Sequence, residues 1–215
     1  MSKQPRSALL LIDIQDGFLE PTFSVWGPSR SNPAFEKNAA SLINTYRALV
    51  AKSAQHKIIH IQHSSDEVKW PKSPLRPSQP GFKFQDFASP KDDELVIVKH
   101  VNSAFIGTNL EEVLREHFAG TPGTLFIAGL STDHCVSTTT RMAANLGVCN
   151  TSNGELGEVV LIGDATAAWA KGAGGDWADA ETLHKVHIQS LQNEFATIGK
   201  TEDTRKLWEK WGADN

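Results

Sequence analysis

Thr124-Leu125-Phe126-Ile127-Ala128-Gly129-Leu130-Ser131-Thr132-Asp133-His134-Cys135 starts as a strand and finishes as a turn. Its first six residues form a short apolar run, as expected of a strand buried on both faces. Helical spacing follows over residues 136–146, with Gly147 in the C′ position, so the whole segment predicts a strand-to-helix turn. The same alternation recurs on both sides of it. Residues 8–13, 57–63, 94–99 and 158–164 are strand-like, and residues 38–55, 110–118 and 180–194 have helical periodicity. The helix over 180–194 is expected to close the chain, and residues 195–198 suit a sixth, edge strand. Strands alternating with helices mean βαβ units. The expected fold is α/β and doubly wound, with a mainly parallel six-stranded sheet and helices on both faces, a Rossmann-like three-layer sandwich.

No internal repeat or linker interrupts residues 1–215, so a single domain is expected. The exception to the periodicity is the stretch 64–93, which carries Pro71, Pro74, Pro77, Pro80 and Pro90. A segment of that length inside a compact domain is expected to be a lid or binding loop. Lys and Arg number 21 against 25 Asp and Glu, a net charge of −4 with no long basic run. A nucleic-acid surface and a polybasic membrane anchor are therefore not expected. The longest apolar run, residues 8–12, is far short of a membrane span, and the polar start has no signal-peptide pattern. Cys135 and Cys149 are the two cysteines, too few for a disulfide framework and without the spacing of structural zinc. The composition fits a soluble, cytoplasmic protein.

In open parallel sheets ligands bind beyond the carboxyl ends of the strands. Strand one ends in Asp13, strand three in Lys99, and strand four runs on to Cys135. A thiol at a helix start is expected to have a lowered pKa, with Lys99 adding positive charge beside it. Turn N–H groups there can hold an oxyanion, and Asp13 can take a proton and return it. These groups suit nucleophilic acyl transfer at a carboxamide. Each also has a structural reading: Cys135 as a small buried hydrophobe, Asp13 as a turn cap, Lys99 as a strand-end surface charge.

Asp13-Ile14-Gln15-Asp16-Gly17-Phe18 resembles the opening motif of the isochorismatase-like cysteine hydrolases. Lys99-His100-Val101-Asn102-Ser103-Ala104-Phe105 is similar to that family's lysine segment, and Gly129-Leu130-Ser131-Thr132-Asp133-His134-Cys135-Val136 to its nucleophile turn. The three occur in the family's order, and the resemblance runs from about residue 8 to 195. It implies an Asp13–Lys99–Cys135 triad, an oxyanion hole of the Ser131 and Cys135 backbone N–H groups, a cis Leu130–Ser131 peptide, and homo-oligomers, dimeric or tetrameric. Nicotinamidases of this family bind a metal through Asp-x-His after strand two, where this chain has His60-Ile61-Gln62-His63. His60 and His63 should point to opposite strand faces, and His184 with His187 lacks a third ligand. No metal and no cofactor are expected. Isochorismatases proper lack the cysteine, so Cys135 points away from vinyl-ether cleavage.

The implied function is hydrolysis of a small-molecule carboxamide through a thioester. The alternatives are a lactam, ureido or ester bond cleaved by the same triad, or a binding protein without catalysis. Phe18, Trp26, Phe105 and His134 flank the motifs and are candidate substrate contacts. Arg76 is a candidate for a substrate carboxylate or for a salt bridge holding the lid. Trp70 and Phe82 are placed to close over the site or against a neighbouring subunit. Cys149 has no motif and reads as structural.

Overall fold

The computed structural model describes residues 6–19, 25–172 and 176–213. The strands are β1 (Arg6–Ile12), β2 (His56–His63), β3 (Leu95–Lys99), β4 (Gly123–Leu130), β5 (Glu158–Ala167) and β6 (Thr197–Gly199). They form one sheet in the order β3-β2-β1-β4-β5-β6, and every ladder is parallel. The helices are α1 (Phe35–Val50), α2 (Leu110–Phe118), α3 (Ser137–Leu146), α4 (Ala180–Leu191) and α5 (Thr201–Ala213). The fold is thus the α/β three-layer sandwich expected from the alternation.

Strand side chains alternate between faces, and the apolar runs supply both cores at once. Leu9, Leu11, Ile58 and Phe126 face α1 and α5, whereas Leu10, Ile12, Ile59 and Ile61 face α2, α3 and α4. On the first face Trp208 of α5 is fully buried, its ring 4.6 Å from Tyr46 and 5.0 Å from Phe126. Burying a side chain of that kind contributes about 1.5–3 kcal/mol or more.

That helix corrects the sequence reading, which took 180–194 as the closing helix and placed no helix after the edge strand over 195–198. The strand is Thr197–Gly199, and α5 follows it. Its buried face, Thr201, Thr204, Trp208 and Gly212, has the three- and four-residue spacing of a helix. Helix α1 also starts and stops earlier than expected, because His56 is already paired with Ser7 in the sheet.

The order of strands reverses between β1 and β4, which opens a crevice beyond their carboxyl ends. Gly129 makes this junction possible. Its φ is +129°, and a Cβ there would run into the main chain of Ile12. The stretch 64–93 folds back over the crevice rather than away from it. Asp16 N–H donates to Lys83 O at 2.8 Å, and Gln85 N–H to Ile14 O at 3.0 Å. Gly81 packs against Gly17 so closely that a side chain on either would clash.

Candidate active site

Four elements end at the crevice and each delivers one side chain. Asp13 lies just past the end of β1, buried, with φ 52° in the left-handed region that few non-glycine residues adopt. Its N–H is held by Ile61 O of β2 at 3.0 Å. Lys99 is the last residue of β3, in register with His63 of β2. Since β2 lies between β3 and β1, the lysine has to reach across the end of β2. Its Nζ lies 2.7 Å from Asp13 Oδ2, 3.0 Å from His63 Nδ1 and 3.3 Å from Cys135 Sγ. Cys135 sits in a wide turn, Thr132–Val136, where Val136 N–H donates five residues back to Ser131 O at 3.2 Å. Turns of that width concentrate at functional sites. The Leu130–Ser131 peptide that leads into it is cis.

Lys99 and Asp13 are both fully shielded from solvent. Burial works against the lysine's charge, but Asp13 and Cys135 outweigh it and hold its pKa above the ordinary value. Cys135 moves the opposite way from the sequence expectation. Burial pushes the thiol up, Asp13 pushes it further, and Lys99 offsets only part of this. A nearby helix start cannot prevail against burial plus a carboxylate. The resting site is an ion pair beside a neutral thiol. His63, lowered to about 4 by burial and then by Lys99, is neutral and accepts from the ammonium group.

Asp13, His63 and Cys135 offer ligand atoms within 4.8 Å of one another. The Lys99 ammonium group already bridges all three residues, so a metal ion would have to displace it. His60 points to the opposite face, as the strand spacing predicts, and meets Glu94 at 2.9 Å. His184 turns its Nδ1 to Thr132 Oγ1 at 2.9 Å.

Over this floor lies a cavity of about 860 Å³. Phe18, Trp26 and Trp169 form one wall; the Phe18 and Trp26 rings stack with centroids 4.7 Å apart. Trp26 is fixed by its indole N–H donating to Gly17 O at 2.8 Å. His134 lines the opening, half exposed, and Trp70 reaches in from the stretch 64–93. Two other candidates are not among the lining residues. Phe105 is buried in the core on the α2 side. Arg76 donates to Glu67 at 3.0 Å and to Ser73 O at 3.1 Å, so it fastens the lid to itself. Phe82 contributes its carbonyl rather than its ring, accepting from Gln15 and Gln62. Cys149 is buried away from the site, its thiol pushed up to about 12 by burial.

Gln15 is a site residue that sequence reasoning quoted without giving it a role. Its Oε1 accepts from His63 N–H at 2.8 Å, and its Nε2 donates to His63 O at 3.1 Å and Phe82 O at 2.8 Å. One buried amide thereby joins the ends of β1 and β2 to the lid. Trp169 was missed because β5 runs to Ala167, beyond its expected end, and carries the chain back to the crevice.

Residues 7–203 match the isochorismatase domain model. An uncharacterized isochorismatase family protein of Bacillus subtilis, YrdC, is 38% identical over 200 residues, 93% of this chain and 94% of that one. An isochorismatase-family structure from Chromobacterium violaceum is 33% identical, with TM-score 0.77 over 98% of this chain and 96% of that one. N-carbamoylsarcosine amidase from Thermoplasma acidophilum shares the fold at 20% identity and TM-score 0.62, over 91% and 96% of the two chains.

Proposed function

The chain belongs to the isochorismatase family of hydrolases, and from that premise we propose that it is a cysteine-dependent hydrolase of a small carboxamide. The observation that carries the proposal is the convergence of Asp13, Lys99 and Cys135, within 2.7 Å and 3.3 Å of the lysine Nζ, at the floor of a cavity. Asp13 takes the thiol proton as Cys135 Sγ attacks the amide carbonyl. Lys99 stabilises the sulfur as it becomes anionic, and the N–H groups of Ser131 and Cys135 hold the tetrahedral oxyanion. Asp13 then passes its proton to the departing amine, which leaves a thioester on Cys135. Water attacks the thioester and gives a proton to Asp13. The acid leaves, and the thiolate recovers that proton.

A thiol that rests neutral suits this cycle, because the proton has a destination only when an electrophile is present. The test is ammonia release from a panel of primary amides, with Cys135→Ala as comparison. Loss of release in Cys135→Ala, together with an acyl mass adduct on the wild-type cysteine, is expected. Release that survives in Cys135→Ala overturns the proposal.

We extend the proposal to a homo-oligomer, a dimer or tetramer, working on its small-molecule substrate in the cytoplasm. Two buried free thiols and the exposed Trp177, Leu156 and Val186 support it. Among the described residues no helix is long and apolar enough to cross a membrane.

A further inference from the structure

The cavity wall has a charge balance unlike that of the chain. Acids outnumber bases in the whole sequence, 25 to 21. Among the described residues, the cavity is lined by Lys69, Lys72 and Lys171 and by one acid, Asp13. Asp13 is already paired with Lys99 at 2.7 Å. Lys171 is paired with Asp133 at 3.1 Å. Lys69 and Lys72 appear in no ion pair among the described residues. The neighbouring acids are otherwise engaged: Asp66 accepts the N–H groups of Val68 and Lys69, and Glu67 holds Arg76 and Ser78.

Lys69 and Lys72 flank Trp70 in the sequence, and Trp70 is itself 55% exposed and lines the cavity with them. The Lys69 Nζ lies 5.6 Å from the Trp70 ring centroid. Phe18, Trp26 and Trp169 line the same cavity. The wall is thus aromatic with a net positive rim, in which Asp66 offsets part of the Lys69 charge. Such a rim concentrates anions and repels cations. A flat apolar group is taken up by aromatic faces.

Building on the proposed amide hydrolysis, we infer that the substrate is an anionic amide: a flat, unsaturated or aromatic carboxamide whose distal carboxylate is drawn in by Lys69 and Lys72. The carboxamide goes down to Cys135 and the carboxylate stays at the rim, so the charge selects the substrate and takes no part in the bond change.

The experiment compares three probes of one shape: benzamide, 4-carboxybenzamide and 4-(aminomethyl)benzamide, which are neutral, anionic and cationic. The wild-type kcat/KM is expected to be about tenfold or more higher for the anionic probe than for the neutral one, and lowest for the cationic one. Raising ionic strength narrows that spread, because the rim is exposed to solvent. In Lys69→Glu/Lys72→Glu the order of anionic and cationic probes reverses. Equal kcat/KM for the three probes in the wild type, or an unchanged order in the double variant, overturns the inference. If benzamide is hydrolysed but charge has no effect, only the charge selection fails. If no amide is hydrolysed and Cys135 is never acylated, the amidase proposal fails with it.

Discussion

Strand β2 carries two histidines three residues apart, and each leads to a carboxylate, half-buried Glu94 on one side and buried Asp13 on the other. On the α1 face His60 meets Glu94, and Glu94 is held by four donors. Arg47 grips both of its oxygens at 2.7 Å, His60 lies at 2.9 Å, and Lys91 N–H donates at 2.9 Å. Despite the burial that opposes ionisation, Arg47 above all holds Glu94 down to about 2. On the other face His63 meets Lys99, whose partner Asp13 is far less occupied. Among the described residues Lys99 is its single ion-pair partner, and the Cys135 thiol is its one further hydrogen-bonding neighbour. The residue types are nearly the same, but one cluster is closed on itself and the other opens on a cavity. A carboxylate held by four donors serves to hold structure, whereas one with unused capacity can accept a proton.

Lys99→Met is the strongest way to break this contrast, because it empties the open cluster without changing side-chain length much. Amide hydrolysis should fall about a thousandfold, the upper range for losing one stabiliser of developing charge. The variant should also be less stable by about 3–5 kcal/mol, since a buried Asp13 is left without its counter-ion. Turnover measured alongside urea unfolding separates the two losses. Activity within tenfold of wild type would remove Lys99 from the chemistry.

Arg47→Ala disrupts the closed cluster instead. The guanidinium also donates to Ser89 O at 2.8 Å, so its loss frees both Glu94 and the end of the lid stretch. A stability loss of about 3 kcal/mol is expected from the unpaired carboxylate. Turnover per folded molecule should stay within about twofold, because nothing in this cluster faces the cavity. A fall in turnover as large as that of Lys99→Met would show that the two faces of β2 are not independent.

The parts of this site that were legible in the sequence are those set by topology. Strand ends and the rule that ligands bind at one edge of a parallel sheet singled out Asp13, Lys99 and Cys135 as candidates, and the resemblance of three motifs to one family joined them as a triad. Parts that depend on where a side chain points were not. Phe105 and Arg76 lie next to the motifs in sequence, yet the first turns into the core and the second into Glu67. Proximity along the chain says little about direction once it leaves a regular element. The opposite faces of His60 and His63 could be read from strand period alone. That Lys99 crosses β2 to reach Asp13 required the strand order β3-β2-β1. The thiol expectation failed for a related reason. A helix start is a local feature, while what overrides it is burial in the assembled fold first and the carboxylate of residue 13 second. Helix α5 went unread although Thr204, Trp208 and Trp211 carry helical spacing, because charged residues separate them.

The smallest expected effect is a pH dependence that belongs to the open cluster. His63 is held at about 4, against about 6.5 for an ordinary histidine, by burial first and Lys99 second, with Asp13 pulling the other way. Between those two values the unfolded chain binds a proton at this position and the folded chain does not. Stability therefore rises with pH from about 4 to 6.5 and is level above that, as far as this group contributes. His56 is lowered to about 4 as well, and His60 in the same direction, so the wild type carries several such contributions. His63→Gln removes one of them. Urea midpoints at pH 7 and pH 5 should show a smaller acid loss in the variant, by no more than about 2 kcal/mol once solvent access is allowed for. Identical acid losses would mean that His63 takes up a proton beside Lys99 without penalty. An ammonium group 3.0 Å away leaves room for that outcome only if the lysine gives up its contact with the histidine, and the contrast between the two faces of β2 would then lose its electrostatic basis.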